Sequence, residues 1–363
     1  MDIEEIKYWL AWNRVPGIGP VRFYKLLEQF GKMGDAWKAP SDQIKTVIGE
    51  RTFNAWLDIG QKWDPEKELA KIERNHYRVY FYTEPDYPPI LKKIADPPPV
   101  LYCWGNIEYG DDIAVAIVGT RKPTPLGAFT ANEISKQLTR QGLTIVSGMA
   151  RGIDSEAHRG ALETGGRTIA VLGCGINVIY PRENQDLMEK IAHHGAVVSE
   201  YPLGTEPLAS NFPARNRIIS GLSLGVVVVE ATNDSGSLIT AGFALEQGRE
   251  VFAVPGNIGN EGSKGPHKLI REGAKLIEGY QDILDELAIP QLAATELNIG
   301  EVYLADELEK KVFTVMTREP LHIDQIIRLS GLASAQVNSV LVQLELRGLI
   351  KRFPGQLYLK IKN

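Results

Sequence analysis

Between Ile113 and Pro255 the chain alternates short apolar runs with longer amphipathic stretches, and no other feature constrains its fold as much. Near-continuous apolar runs are typical of strands buried on both faces, which occur in parallel sheets covered by helices. The pattern therefore predicts an α/β fold with a Rossmann-like, doubly wound and mostly parallel sheet. The predicted strands are Ala114–Val118, Thr144–Ser147, Thr168–Leu172, Ala196–Ser199, Gly225–Glu230 and Glu250–Val254. The predicted helices between them are Gly127–Gln141, Ser155–Thr164, Pro181–His193, Arg215–Leu222 and Gly236–Gln247.

Residues 1–72 have the pattern of a small helical domain. Helices are predicted at Ile6–Trp12 and Val21–Phe30, and the segment between them contains Gly17 and Gly19 in a tight turn. This is a helix–hairpin–helix or SAM-like pattern, whose turn exposes backbone N–H groups where a phosphate can bind. Two interpretations stay open for the turn: an accessory DNA contact, or a plain connection between two helices.

The C-terminal residues, 306–363, have the pattern of a winged-helix domain. Three amphipathic stretches are followed by two strand-like runs around Pro354-Gly355, which is the winged-helix plan. Ser334 is expected to be the N-cap of the third helix, because its hydroxyl can accept a bond from a free backbone N–H. Residues 291–305 show no strong periodicity and are predicted to be a linker, and residues 73–290 are assigned to an extended Rossmann-like domain.

Positive charge is concentrated in the C-terminal domain. Residues 308–363 include nine lysines and arginines and four acids, although the whole chain has a formal net charge of −5. A local basic surface is what nucleic-acid binding requires. In one interpretation Gln336 and Asn338 contact base edges, and Lys351 and Arg352 contact phosphates. In the other, of equal weight, the domain contacts a protein or senses duplex DNA.

Composition and cysteine usage limit where the protein works. The longest apolar runs, such as Leu224–Val229, are the length of a strand, so no membrane-spanning helix and no membrane partner is predicted. The N-terminus is acidic and lacks the basic segment of a secretion signal. Cys103 and Cys174 are interpreted as buried thiols of a reducing compartment, in preference to a disulfide. Together these features predict a cytoplasmic protein.

The residues that follow each predicted strand form the candidate site, because ligands of open α/β sheets bind beyond the carboxyl ends of the strands. Glycine turns, helix starts, hydroxyl groups and guanidinium groups recur there, and each can bind an anion. Phe212 is available to stack a base. An anionic ligand is therefore predicted. The candidate binding residues are Gly119, Thr120, Arg121, Lys122, Arg151, Arg182, Asn184, Phe212, Arg215, Asn216, Arg217, Ser235, Gly236 and Ser237.

The glycine turns do not match the common nucleotide fingerprints. A dinucleotide site requires G-x-G-x-x-G after the first strand, and residues 119–123 break that pattern. The chain also has no G-x-x-x-x-G-K-[ST] segment, so NAD and ATP are disfavoured and no cofactor is expected. Asp154 and His158 have the spacing of two metal ligands, but no third ligand is evident and Asp154 is better explained as a helix N-cap. Neither a metal site nor a catalytic set is predicted.

A series of segments in the Rossmann-like region carries a family resemblance. The segments are Gly119–Arg121, Ser147–Leu162, Leu172–Asn184, Ser199–Pro207, Phe212–Ser223, Val226–Gly256 and Leu269–Ala274. In this order they resemble the DNA-processing protein A family, DprA or Smf, over essentially the whole Rossmann-like domain. The helical and winged-helix regions resemble those of family members that carry both accessory domains.

The resemblance implies a non-enzymatic protein that binds single-stranded DNA, forms a homodimer through its Rossmann-like domain and loads the RecA recombinase during natural transformation. Family members also displace or coexist with single-strand-binding protein. By position in the matching segments, Arg121 is implied to be a phosphate ligand, and Arg182 stands where relatives often have lysine, which keeps the charge. Phe212–Arg217 matches a Phe-Pro-x-Arg-Asn-Arg segment. Which of its side chains contact DNA and which pack against the sheet stays open.

Two rival functions come from other classes. The first is a nucleotide-processing enzyme of the phosphoribohydrolase type, which shares this Rossmann variant with molybdenum-cofactor carriers and usually has a glycine-glycine turn beside its acid. Here Gly165-Gly166 falls at the end of a predicted helix. The second is a transcription regulator with a winged helix for duplex DNA and a ligand-sensing large domain. Release of adenine from AMP supports the first, and preference for a defined duplex over poly-dT supports the second.

Overall fold

The structure, a computed structural model, describes residues 1–290, 307–317, 320–347, 349–353 and 355–360. Contacts divide these residues into two compact units. The larger comprises Met1–Pro123 and Gly127–Pro290, and the smaller contains the C-terminal helices and strands. The predicted linker, residues 291–305, lies outside the described residues, and so does Pro354 of the predicted hairpin.

Short helices precede the sheet in the larger unit. Asp2 caps the first by accepting a bond from the backbone N–H of Glu5 (2.8 Å), and Pro20 begins the second, where its missing N–H leaves no bond unmade. Their apolar faces share one aromatic core, in which the rings of Trp12 and Trp56 stack at 5.9 Å. The helices are α1 (Ile3–Arg14), α2 (Pro20–Phe30), α3 (Met33–Lys38), α4 (Ser41–Ile48), α5 (Glu50–Lys62) and α6 (Pro65–Arg74).

The described residues of the larger unit build one nine-stranded sheet. Its strands are β1 (Arg78–Phe81), β2 (Val100–Gly105), β3 (Ala114–Val118), β4 (Thr144–Ser147), β5 (Thr168–Val171), β6 (Gly195–Ser199), β7 (Gly225–Val228), β8 (Glu250–Ala253) and β9 (Lys275–Leu276). Their order across the sheet is β1-β2-β6-β5-β4-β3-β7-β8-β9. β2 pairs antiparallel with β1 and β6, and the remaining pairs are parallel. The apolar runs thus become strands buried on both faces, as a covered parallel sheet requires.

Helices cover both faces of this sheet. They are α7 (Pro125–Arg140), α8 (Ile153–Glu163), α9 (Gln185–His194), α10 (Asn211–Gly221), α11 (Gly236–Glu246), α12 (Lys264–Arg271) and α13 (Tyr280–Glu286). In β3, Val115 and Ile117 belong to the core with α7 and α8, whereas Ala114 and Ala116 belong to the core with α10 and α11. This arrangement confirms the predicted doubly wound, mostly parallel α/β fold. Among the described helices none is both long and apolar enough to cross a bilayer.

The start of α10 differs from the prediction in a way that matters for the site. The predicted helix begins at Arg215, whereas the observed helix begins at Asn211. Pro213 falls in its first turn, where proline is tolerated because the N–H it lacks would have no partner inside the helix. Phe212 is therefore carried by the first turn of a helix instead of by a loop.

The smaller unit has the predicted winged-helix plan. Its elements are α14 (Glu307–Val315), β10 (Leu321–His322), α15 (Ile323–Ser330), α16 (Ser334–Leu346), β11 (Ile350–Phe353) and β12 (Leu357–Lys360). The strands form an antiparallel sheet in the order β10-β12-β11. Ser334 is the first residue of α16 and not its cap, so that prediction is wrong. Ala333 is the N-cap, and its N–H donates to the side-chain oxygen of Gln336 (3.2 Å).

Candidate functional site

The carboxyl ends of β3, β4 and β5 are adjacent because these strands are parallel neighbours in the sheet. The turns that follow them meet the first turn of α10 around a cleft. Its volume is about 30 Å³, roughly that of one water molecule, whereas sites that enclose a small molecule span roughly 300–1,000 Å³. The feature is therefore a shallow surface groove. The residues that line it are Arg121, Met149, Ala150, Arg151, Tyr180, Pro181 and Phe212.

The turn after β3 combines a close backbone approach with exposed cations. A Cβ on Gly119 would lie 2.6 Å from the side chain of Ile153, so only glycine fits there. The N–H of Thr120 donates to the carbonyl of Glu230 (2.7 Å), and its hydroxyl accepts a bond from the N–H of Lys122 (3.2 Å). These bonds fix the backbone, while the side chains of Lys122 and the neighbouring arginine stay exposed.

The turn after β4 is held from beneath by two buried charged side chains. The carboxylate of Asp154 accepts bonds from the N–H groups of Gly148 (3.1 Å) and Ala150 (3.3 Å). The guanidinium of Arg215 donates to the carbonyl of Gly148 (2.8 Å). Burial lowers the pKa of Arg215 to about 10, which leaves it charged at neutral pH. This turn is therefore positioned by a buried pair of opposite charges.

Asn184, a candidate binding residue, also supports this turn from the interior. Its side chain is buried, and its amide donates to the carbonyl of Met149 (3.0 Å) and to the hydroxyl of Ser155 (2.9 Å). Met149 has a φ of +60°, a backbone conformation that side-chain-bearing residues adopt only when the surroundings hold it. The structure therefore places Asn184 behind the groove, where it holds the turn.

Asp154 and His158 do not form a metal-ligand pair in this arrangement. The Nδ1 of His158 lies 2.7 Å from the hydroxyl of Thr168, and burial lowers the pKa of this histidine to about 3. The N-cap of α8 is Gly152, so the prediction that Asp154 caps the helix is wrong. Within the described part of the chain, no group of three or more histidines, cysteines and acids could hold a metal ion.

Exposed cations surround the groove. Arg121, Lys122 and Arg182 are exposed, and none of them pairs with a carboxylate among the described residues. Arg151 is exposed as well, but it forms an ion pair with Glu183. Ion pairs in solvent contribute little, so this pair can open to let another anion bind the arginine. The edge of the sheet thus presents positive charge that phosphate groups can neutralise.

The Phe212–Arg217 segment divides into a surface part and a buried part. Phe212 borders the groove, with the Arg121 guanidinium 5.8 Å from its ring centroid. Asn216 is buried and donates to the carbonyl of Gly236 (3.1 Å). Arg217 is 5% exposed, and its guanidinium is shared between two carboxylates, those of Glu200 (2.7 Å) and Asp96 (2.9 Å). Arg215, Asn216 and Arg217 are thus buried and bonded to neighbouring groups of the protein, and their contact with DNA stays a prediction.

The hydroxyl turn before α11 lies on another part of the edge. Ser235 is the N-cap of α11, and its hydroxyl accepts a bond from the N–H of Ser237 (3.3 Å). Gly236 is exposed and Ser237 is buried. None of the three belongs to the lining of the groove. Their part in anion binding stays a prediction.

The turn in the helical region borders a different groove. Gly17 has a φ of +92°, a left-handed conformation that favours glycine, and Gly19 is the N-cap of α2. The Arg22 guanidinium donates to the carbonyl of Gly17 (2.8 Å). The groove has a volume of about 640 Å³, and Arg22 and Lys25 lie on its wall. Basic side chains thus accompany the turn, and its contact with DNA stays a prediction.

In the smaller unit, the residues predicted to contact bases bond to their own helix. Gln336 caps the start of α16, and Asn338 donates to the carbonyl of Ser334 (2.9 Å). The sequence of α16 contains no lysine or arginine. Lys351 and Arg352 lie on β11, and the Arg352 side chain is exposed.

Two side chains with a bearing on the groove were not among the predicted site residues. Tyr180 lines the groove with 39% of its surface exposed, and Glu183 pairs with Arg151, which also lines it. The available signal was their position, since both flank Arg182 in the segment after β5. Aromatic and acidic side chains are common on surfaces, and only the fold shows that these two face the cations.

Comparison with known proteins gives consistent matches. The family model described as DNA recombination-mediator protein A matches residues 78–288, and that of the DprA winged helix domain matches residues 292–356. Protein Smf of Synechocystis is 38% identical over 99% of this chain and 99% of its own. The structure of DNA processing protein A from Streptococcus pneumoniae is 38% identical, with a TM-score of 0.68 over 76% of this chain and 95% of that chain. The Helicobacter pylori protein, whose single-stranded DNA binding mode has been described, is 32% identical, with a TM-score of 0.53 over 58% of this chain and 95% of that chain.

Proposed function

The chain belongs to the DNA recombination-mediator protein A family, also named DprA or Smf, and on this basis we propose that it binds single-stranded DNA by its phosphates. The observation that carries the proposal is the set of exposed cations, Arg121, Lys122 and Arg182, beside the shallow groove. Guanidinium and ammonium groups without a carboxylate partner bind phosphates and release the counterions of the DNA.

The shape of the groove favours a polymer over an enclosed nucleotide. A volume of about 30 Å³ does not accommodate a base or a sugar. A strand can instead lie across the carboxyl edge of the sheet, with successive phosphates against successive cations. Phosphate contacts carry no sequence information, so the binding is independent of sequence.

The proposal extends to a cellular role. The protein protects incoming single strands and loads the RecA recombinase onto them during natural transformation and recombination, as a cytoplasmic homodimer that works beside single-strand-binding protein. It acts by binding and carries out no chemical conversion. Family membership supports this role, and so does the Helicobacter pylori relative, for which a single-stranded DNA binding mode has been described.

The domains are proposed to share this work. Residues 73–290 carry the strand-binding groove, and residues 1–72 and 306–363 act as accessories, joined on the C-terminal side by the linker at 291–305. For the winged-helix domain we propose phosphate contacts by Lys351 and Arg352 on β11, which supply positive charge that the sequence of α16 lacks.

A binding comparison tests the proposal. Fluorescence anisotropy of the full chain is measured with a labelled dT oligonucleotide, with single-stranded, duplex and AMP competitors. We expect the single strand to bind, added salt to weaken binding, and the single strand to compete much better than AMP at equal phosphate concentration. AMP is also incubated with the protein and the products are separated. Release of adenine, together with failure of oligonucleotides to compete, contradicts the proposal in favour of a nucleotide-processing enzyme.

A further inference from the structure

The helical region contains a groove that is bordered by the starts of two helices. Gly19 precedes α2 and Gly49 precedes α5, and both glycines line the same groove, whose volume is about 640 Å³. No side chain caps either helix. The first N–H groups of a helix have no partner inside it and form the positive end of its dipole. Residues 17, 19–22, 25 and 46–49 line this groove, which we call the helical groove.

A buried hydroxyl without a partner lies beside the helical groove. Thr52, in the first turn of α5, has 5% of its surface exposed, and no group in the described part of the chain forms a hydrogen bond with its hydroxyl. A Cβ on Gly17 would lie 3.0 Å from this hydroxyl and 3.8 Å from the Arg22 guanidinium. Because buried polar groups are normally paired, the free hydroxyl indicates a ligand that binds beside Gly17.

Two basic side chains give the helical groove its charge. The Arg22 guanidinium donates to the carbonyl of Gly17 (2.8 Å), which holds it next to the turn. Lys25 lies one helical turn further along α2, and its exposed side chain has no carboxylate partner among the described residues. Glu50, the first residue of α5, is paired with Lys45 (2.9 Å) and does not line the groove. An anion in the groove would therefore meet cations and N–H groups.

Resting on the proposed function, we propose that the helical groove binds the phosphodiester backbone of DNA at the starts of α2 and α5. This contact is separate from the one at the carboxyl edge of the sheet, because the two grooves share no lining residue. The sequence singles out the turn at Gly17 and Gly19. Only the fold brings Gly49 and Thr52 to the same place, about 30 residues further along the chain.

The shape and lining of the helical groove favour a polymer backbone over a single base or a phosphate ion. No aromatic ring lines it, so it offers no surface on which a base could stack. Val21, 62% exposed, and Val47 offer apolar surface to a deoxyribose ring. Beyond Lys25 the groove continues for about 400 Å³ between α2 and α4, where Glu28 repels phosphate. The phosphate is therefore expected at the end that contains Gly17 and Gly49.

Two variants of the full-length protein test the proposal. Lys25→Gln removes one charge, and Thr52→Val removes the free hydroxyl and keeps the shape of the side chain. Lys32→Gln is the matched control, because Lys32 is exposed but lies beyond the far end of α2. Binding of a dT single strand and of a duplex is measured by fluorescence anisotropy over a salt series. A loss with the single strand, the duplex or both supports the proposal and identifies which DNA supplies the phosphate.

The two variants should weaken binding in different ways. Lys25→Gln should make the slope of log K against log salt concentration shallower by about 0.7 for a single strand or about 0.9 for a duplex. Thr52→Val should weaken binding about 2- to 10-fold and leave the slope unchanged, because it removes a neutral hydrogen bond. Its thermal unfolding should match that of the wild type, since the hydroxyl has no partner in the protein to lose. The Lys32→Gln control should bind like the wild type.

Hydrogen–deuterium exchange reports on the helix starts directly. Bound DNA should slow the exchange of backbone N–H groups in residues 21–22 and 50–52, and Thr52→Val should reduce this protection. The proposal is overturned if Thr52→Val binds both DNAs like the Lys32→Gln control. It is overturned equally if DNA slows exchange in residues 119–122 and leaves both helix starts unchanged.

Comparison with Arg121→Ala separates the failure of this proposal from that of the proposed function. If the wild type binds neither DNA, both fail. If Arg121→Ala weakens single-strand binding and Thr52→Val does not weaken binding of either DNA, only the helical groove is excluded. If Thr52→Val weakens binding and Arg121→Ala does not, the site proposed at the carboxyl edge fails and the helical groove stands.

Discussion

Replacing Arg121 by alanine removes one positive charge from the groove and leaves the buried residues beneath it in place. The side chain is exposed, and its guanidinium lies 5.8 Å from the Phe212 ring. Arg140→Ala is the matched control, because Arg140 is also exposed. It is the last residue of α7, and this helix runs from the carboxyl end of β3 back to the start of β4. The same charge is thus removed at the opposite edge of the sheet.

The size of the effect follows from the number of exposed cations at the groove. Each phosphate contact on a single strand contributes about −0.7 to the slope of log K against log salt concentration. Four contacts, by Arg121, Lys122, Arg151 and Arg182, give a slope of about −2.8, and loss of one gives about −2.1. Between about 50 and 200 mM salt the wild type then loses about 50-fold in affinity and Arg121→Ala about 20-fold. At low salt, the loss of one charged hydrogen bond weakens binding about 10- to 150-fold.

The assay is fluorescence anisotropy with oligonucleotides of dT, dA and mixed sequence over a salt series. We expect Arg121→Ala to weaken all three to a similar extent, because phosphate contacts do not report sequence. Arg140→Ala should match the wild type in affinity and in slope. Equal effects of the two variants would show that only the total charge matters and not the position of Arg121. An unchanged affinity in Arg121→Ala would remove that residue from the site.

Other predictions concern the charges in and beneath the groove. Glu183→Gln frees Arg151 from its exposed ion pair, so single-strand affinity at low salt should rise by up to about fivefold, and a fall in affinity would contradict this. Asp154→Ala leaves the N–H groups of Gly148 and Ala150 without their acceptor and removes a negative charge near the buried Arg215, so the free energy of unfolding in urea should fall by ~1–3 kcal/mol, whereas a neutral result would show that Asp154 does not hold the turn. Burial lowers the pKa of His158 from 6.5 to about 3. Between these two pH values the histidine is therefore protonated in the unfolded chain and neutral in the folded protein. Stability should therefore fall as the pH drops through this window, by up to ~1.4 kcal/mol per unit from this group, and His158→Asn should flatten the fall in urea titrations at pH 7, 6 and 5.

The fold could be predicted from the sequence because its signals are local. The run Ala114–Val118 is apolar throughout, and the strand has these bounds. The first residues of the helices were harder to predict, because the start of a helix depends on which side chain forms the capping hydrogen bond. Ser334 has the side chain of an N-cap, and as a cap it would make residue 335 the first of the helix. The helix α16 instead begins at Ser334, because the side chain of Gln336 accepts a bond from the N–H of Ala333 and makes that residue the N-cap.

The site could be predicted only in part, because residue type does not reveal burial. Arg121 and Arg217 both looked like anion ligands, and the structure exposes the first and buries the second. The partners that engage Arg217, Asp96 and Glu200, lie 121 and 17 residues away along the chain, so no local pattern shows that its charge is already satisfied. Tyr180 escaped prediction for the same reason, since only the fold brings it beside Phe212.

Photo-crosslinking reports where on the protein the single strand lies. A dT oligonucleotide with 5-iododeoxyuridine at single positions is irradiated with the full-length protein, and the crosslinked peptides are identified by mass spectrometry. We expect crosslinks in residues 119–122, 149–151 and 180–184, and we expect excess AMP to leave them unchanged. Crosslinks found only in residues 1–72 or 307–360, or their loss in the presence of AMP, would contradict this expectation.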